Sequence, residues 1–123
     1  MAWHFQPLAA LVGRCLMAAL FVSAGAAKAL SPRPFLDHMR EFGVAGGLII
    51  PVIALEIGAG VALLTGLMAG YAALALAIFC VIAALTFHRD LSNKAERTLL
   101  AKDLALAGGL LAIAAAQPAA SVF

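Results

Sequence analysis

Four long apolar stretches, separated by short polar or glycine-rich breaks, organise the chain; they run over about 8–30, 48–67, 69–87 and 99–116. At 1.5 Å of rise per residue, each approaches the ~30 Å thickness of a bilayer core as a helix, and each far exceeds a barrel strand. The pattern predicts an all-α integral membrane four-helix bundle, with residues 1–123 forming one transmembrane domain. The period changes between the first two stretches. Pro34 suits the first turn of a helix, and Phe35, Leu36, Met39 and Phe42 share a face opposite Asp37, Arg40 and Glu41. This predicts a short amphipathic helix over 34–42 lying in the membrane interface, with Phe35, Met39 and Phe42 inward. Residues 43–47 then turn the chain back. Thr65-Gly-Leu-Met-Ala-Gly70 is uncharged and predicts a tight turn, and Gln117-Pro118 closes the fourth helix.

Composition sharpens this picture. Hydrophobic residues make up 65% and charged residues 11% of the chain, against about 25% charged in soluble domains. A net charge of +2 is too small to imply nucleic acid as a partner; the bilayer is the partner that the composition demands. Trp3 and Phe5 suit an interfacial anchor at the N-terminal end. Ser23-Ala-Gly-Ala-Ala27 has the small residues of a signal-peptidase site, but Arg14 interrupts the apolar region before it, so the first stretch reads as a retained span. Cys15 and Cys80 stand alone in apolar sequence and read as small buried residues, not a redox pair. Small residues repeat at four-residue spacing in Ala54/Gly58/Ala62, Ala69/Ala73/Ala77 and Gly108/Ala112/Ala116. Such seams are expected to let helix backbones approach within lipid.

Glu56 is the residue that most needs explaining. It falls near the middle of the second span, where a carboxylate costs about 2.5–3.5 kcal/mol on insertion scales and must be neutralised, paired or turned to a polar cavity. On the first span Ala18, Phe21, Gly25 and Lys28 all lie within about 40° of the direction of Arg14 at 100° per residue. Two cations therefore share a face, and either could reach Glu56 from its own end of the bundle. His88, Lys102 and Asp103 sit together in sequence register at the inner ends of the third and fourth spans. The candidate ligand or proton site is thus Arg14, Lys28, Glu56, His88, Lys102 and Asp103. Two readings remain open: a clamp that fixes how the helices dock, or a pocket in which Arg and Lys donate to a ligand's oxygens while Glu or His moves protons. His4, His38 and His88 all lie at span ends, which disfavours haem held between facing helices; no metal-spaced His/Cys set, phosphate loop or Ser-His-Asp arrangement is legible.

Several segments stand out in order and spacing: Arg14 followed by Phe21-x-Ser-x-Gly25-x-x-Lys28, Glu56-Ile-x-x-Gly60 with Leu64-Thr-Gly-Leu67, Ala83-x-x-x-Phe87-His88, and Lys102-Asp-Leu-x-Leu-x-Gly-Gly109. Together they resemble the DoxX family of small four-helix membrane proteins. Relatives often carry Thr-Arg just after the second span, where this chain has Ala69-Gly70. The resemblance implies a four-helix membrane bundle and suggests a membrane subunit in quinone-linked, sulfur-related redox metabolism. The ligand would be a quinone headgroup or a small sulfur oxyanion, with no covalently bound cofactor and with electrons supplied by a redox partner protein. A non-catalytic scaffold or assembly factor, and a small-solute or proton carrier, are the rival expectations. The lipid-facing surface left by four short helices makes a homodimer plausible.

Seven of the eight lysines and arginines fall at the two loops that follow the first and third spans. By the positive-inside bias, both loops are cytoplasmic and both termini lie on the non-cytoplasmic side of a bacterial-type inner membrane. A cysteine placed at Asn93 should therefore resist a membrane-impermeant thiol reagent in intact cells, while one at Ser121 reacts; the reverse labelling would overturn the orientation.

Overall fold

The structure, a computed structural model, describes residues 5–88 and 90–117. The expected anchor at Trp3, the helix-closing Pro118 and the loop cation Arg89 lie outside the described residues. The order is α1 (Phe5–Leu30), α2 (Arg33–Glu41), a 3-10 turn (Gly46–Leu48), α3 (Ile49–Thr65), α4 (Ala69–Phe87) and α5 (Lys94–Ala116). Helices α1, α4 and α5, and α3 together with the 3-10 turn that leads into it (Gly46–Thr65), are long and apolar enough to cross a membrane, with mean hydropathies between 1.8 and 2.3. Their outer surfaces expose Leu16, Ile50, Ile78, Ile82 and Leu111, as lipid-facing helices do. The protein is an integral membrane four-helix bundle with a short amphipathic helix between its first two spans.

Local chemistry explains the boundaries. Helix α5 begins at Lys94, five residues before the apolar stretch expected at 99. Asn93 caps it: its side-chain oxygen accepts from the amides of Ala95 at 2.9 Å and Glu96 at 3.3 Å. Two orphan donors are thereby satisfied and Glu96 meets the positive end of the helix dipole, so the charged first turn stays helical. At the other tight connection Gly66 takes a left-handed φ of +82° to end α3, and Met68, at φ +53°, starts α4. Helix α2 divides as its pattern predicts except at Phe42, expected inward, which lies just past the helix end as its C-cap and is 38% exposed. Met39 is buried, Phe35 and Leu36 are half-buried, and Asp37, Arg40 and Glu41 are exposed. Phe42 packs edge-on against Phe87 at the end of α4, with His38 stacked on the same ring.

The bundle is two tight pairs, α1 on α3 and α4 on α5, joined chiefly through α3 and α4; α1 and α5 meet only sparsely. The α1–α3 pair crosses at two glycines. A Cβ on Gly25 would stand 2.6 Å from Ile57 Cγ1, and one on Gly60 would stand 2.7 Å from Val22 Cγ2. The core gathers Phe21, Leu63, Leu76, Leu110 and the row Ala69, Ala73, Ala77, with Cys80 at its end.

Of the three expected seams only the α4 row is a packing surface. Ala54 and Gly58, like Gly108, Ala112 and Ala116, face outward, and a Cβ on Gly58 or Gly108 would meet nothing within 4 Å. Polar residues chose the other faces. Glu56, Gly60 and Leu63 turn inward together on α3, as do Asp103, Ala107 and Leu110 on α5. Gly58 lies two residues from both Glu56 and Gly60, about 200° around the helix, so burying the carboxylate turns it to lipid. Of the two cysteines, Cys80 is buried as expected and Cys15 is only half-buried; both are free thiols.

Gly25→Ala and Gly60→Ala should each lower stability in detergent by about 1–3 kcal/mol, the usual cost of forcing extra volume into a packed contact. Gly58→Ala and Gly108→Ala should be neutral or gain up to ~1 kcal/mol from helix propensity. Thermal unfolding of the four variants checks this; a loss at Gly58 equal to that at Gly60 would contradict the assigned interface.

Candidate functional site

Glu56 lies seven residues into α3, about 10 Å along the helix from Ile49, and is only 3% exposed. It can be buried there because Gly25 lets α1 lie directly against it; a Cβ on Gly25 would stand 3.2 Å from Glu56 Cβ. One turn further along α1, Lys28 places its Nζ 2.9 Å from Glu56 Oε1. The contact is an ion pair and not an aligned hydrogen bond, for Oε1 has no hydrogen-bond partner of good geometry among the described residues. The two observations are compatible, because Coulombic attraction at this distance is strong away from water even when the donor points off the lone pair. The ammonium also sits over the ring of Phe35, 4.9 Å from its centroid. Lys28 is thus held between a carboxylate of α3 and an aromatic face of α2.

Beside this pair opens a cleft of about 270 Å³ that all four long helices line. Lys28 and Glu56 supply two of its polar groups and Asp103 of α5 a third; Phe21, Phe79, Cys80 and Leu106 are among its other walls. The cleft lies between α1 and α5, which touch only sparsely. Leu20 and Leu106 border both it and a shallow outer groove that continues to Lys102 and Ala105. It therefore approaches the lipid-facing surface between these two helices.

Arg14 does not join the group. Its Nη1 donates to the carbonyl of Leu63 at 3.2 Å, and its guanidinium packs on Gly66, where a Cβ would stand 2.7 Å from Nη1. It satisfies a carbonyl of the last turn of α3 and places positive charge at the negative end of the helix dipole. Of the two cations on the shared face of α1, Lys28 partners Glu56 and Arg14 does not.

His88 caps the end of α4, where its backbone amide donates to the carbonyl of Ala84 at 3.0 Å. Its ring lies between two carboxylates of α5, with Nδ1 2.7 Å from Glu96 Oε2 and Nε2 3.5 Å from Asp103 Oδ2. Lys102 does not line the cleft; it is exposed and borders a surface groove with Lys94, Arg97 and Thr98 as well as the outer groove beyond Leu20 and Leu106. The structure therefore brings Lys28, Glu56 and Asp103 together, with His88 behind Asp103, and leaves Arg14 and Lys102 apart. Sequence reasoning missed Cys80, Phe35 and Glu96 as neighbours of the site. Glu96 carried a usable signal: it stands seven residues before Asp103, nearly in line on one helix face. No group of three His, Cys, Asp or Glu side chains that could hold a metal ion occurs among the described residues.

A small four-helix membrane bundle with an ion pair inside it is the class that fold and site define. Residues 9–89, spanning most of α1 through α4 together with Lys28, Glu56 and His88, match the DoxX family model, and the chain belongs to that family. It is also 33% identical over 115 residues to the inner membrane protein YqjF of Escherichia coli (strain K12), covering 94% of this chain and 88% of that one. No solved structure matches the chain. The protein is thus a multi-pass inner-membrane protein of the DoxX family.

Proposed function

We propose that the protein is a membrane subunit of a quinone-linked redox system and that its cleft receives the head of a lipophilic, quinone-type ligand. The observation that carries this reading is the Lys28–Glu56 pair at the wall of the cleft, with Glu56 Oε1 buried and without an aligned hydrogen bond. A buried acceptor left in that state is costly, and a ligand's hydroxyl would satisfy it. Lys28 would donate to a carbonyl oxygen, while Glu56 and Asp103 would exchange hydrogen bonds with the head's other oxygen as its protonation changes. A volume of about 270 Å³ is near the lower bound of ~300 Å³ for small-molecule sites and suits one compact ring. The tail would lie between α1 and α5, past Leu20 and Leu106, where the helices touch only sparsely.

Charge separates this ligand from a sulfur oxyanion. Two carboxylates, Glu56 and Asp103, face the cleft against the single ammonium of Lys28, which favours a neutral head over an anion. Electrons would come from a partner protein docked at the membrane, and the basic end of the bundle, with α2 and the α4–α5 connection, would face the cytoplasm. A second reading, a scaffold or homodimer, draws support from the small-residue faces at Ala54/Gly58 and Gly108/Ala112/Ala116, which are turned away from the bundle core.

Short-chain ubiquinone titrated into the purified protein in nanodiscs tests the first reading. Saturable binding is expected, weakened at least about tenfold (1.4 kcal/mol) in Lys28→Met and in Glu56→Gln and unchanged in Arg14→Gln. Absence of saturable binding, or equal binding by all three variants, would contradict it.

A further inference from the structure

We infer that His88 relays protons between Glu96, in the first turn of α5, and Asp103 in the intramembrane cleft. The three groups form a row: Glu96 Oε2 to His88 Nδ1 is 2.7 Å, and His88 Nε2 to Asp103 Oδ2 is 3.5 Å. The first distance is a short charge-assisted contact. The second stands at the edge of hydrogen-bond reach and closes with a small rotation of the Asp103 carboxyl, as such contacts do when a site is engaged. Glu96 and Asp103 lie on nearly one line of α5, and α4 ends by inserting the imidazole between them. Glu96 is partly exposed at the end of the helix that also carries the exposed Lys94 and Arg97, whereas Asp103 shares a cleft with Glu56 and Lys28. The row therefore runs from the polar end of the bundle to the cleft that the ion pair also lines.

Imidazole is suited to this position because its two nitrogens can accept and release protons on opposite sides. When the Glu96 carboxyl gives its proton to Nδ1, Nε2–H gives its own to Asp103 Oδ2. Net transfer is one proton from Glu96 to Asp103, with no electrons moved; rotation of the ring restores the starting tautomer for a further transfer, whereas the reverse transfer returns the proton to Glu96. Both carboxylates that flank the ring come from α5. From α2, His38 stacks on the adjacent Phe87, 5.0 Å between ring centroids, and Arg97 is turned aside to the carbonyl of Leu91. The relay would serve the proposed ligand site, but its test needs no ligand, so its failure is distinct from failure of the quinone reading.

A purely structural role would make His88 a pin between α4 and α5, and the two roles differ in what replaces the ring. Cys80, buried on the wall of the cleft, is the reporter. In ligand-free protein carrying Cys15→Ser, in nanodiscs, the S–H stretch of Cys80 is followed by infrared spectroscopy after transfer from H2O to D2O. His88→Asn should slow the exchange about a hundredfold, the lower end of what a positioned acid–base group contributes, and added imidazole should restore it. Glu96→Gln, which keeps the side-chain shape and interrupts the row at its outer member, should slow the exchange as well and covers the case in which His88→Asn does not fold. Exchange at the wild-type rate in the folded variants would overturn the relay. Slowing in His88→Asn that imidazole does not rescue would also overturn it, leaving the pin.

Discussion

A carboxylate buried in the middle of a membrane helix cannot be left alone, and much of the bundle follows from how Glu56 is accommodated. The partner had to come from a neighbouring helix able to lie close against α3, which places glycines at the crossing. Gly25 admits the side chains of Glu56 and Ile57 and Gly60 admits Val22, while Lys28 stands one turn beyond Gly25 to meet the charge at 2.9 Å. Orienting α3 for Glu56 also turns Leu63 into the core and Gly58 out to lipid. In hydrocarbon, where apolar surface gives helices little reason to associate, one charged pair and two close-contact glycines decide which faces meet.

The site inherits its character from the same pair. The ion pair is not fully packed in, because α1 and α5 touch only sparsely beside it and leave a cleft bounded by Asp103 and Cys80. A fully packed pair would only fix helix docking; a pair bordering a cleft can exchange one partner for a ligand. Helix α2 belongs to this arrangement as well. Phe35 covers the Lys28 ammonium, and His38 and Phe42 hold α2 to Phe87 at the end of α4. The amphipathic helix thus spans from α1 to α4 over the basic end of the site, and its apolar face has a specific protein partner.

How far the sequence revealed this depended on the physics behind each signal. The four apolar helices were legible because length and hydropathy are properties of a single segment, and α2 was legible because proline, periodicity and opposed charges agree. Glu56 declared itself by cost alone. Its partner did not, because Arg14 and Lys28 share one face of α1 and periodicity gives rotation but not the height at which two helices cross. The end of α3 decides the matter: Arg14 is occupied by the Leu63 carbonyl beside a left-handed Gly66, a demand that a count of charges cannot reveal. Small-residue seams failed for Gly58 and Gly108 because many spacings match by chance in so alanine-rich a chain, and the buried carboxyl groups selected other faces. Lys102 and Asp103 are adjacent in sequence, yet 100° of helix rotation sends one to the surface and the other to the cleft.

The central claim, that Lys28 and not Arg14 holds Glu56 within the bundle, is tested most directly by paired double-mutant cycles on unfolding in detergent. Lys28→Met and Glu56→Gln should each destabilise the protein. The lysine substitution should cost more, since it strands a buried carboxylate, whereas a lone Lys28 can extend its charge toward the interface. The double variant should recover part of the loss, with a coupling of about 1–3 kcal/mol. Arg14→Gln and Glu56→Gln should instead be additive within about 0.5 kcal/mol. Coupling between Arg14 and Glu56, with additivity between Lys28 and Glu56, would contradict the account.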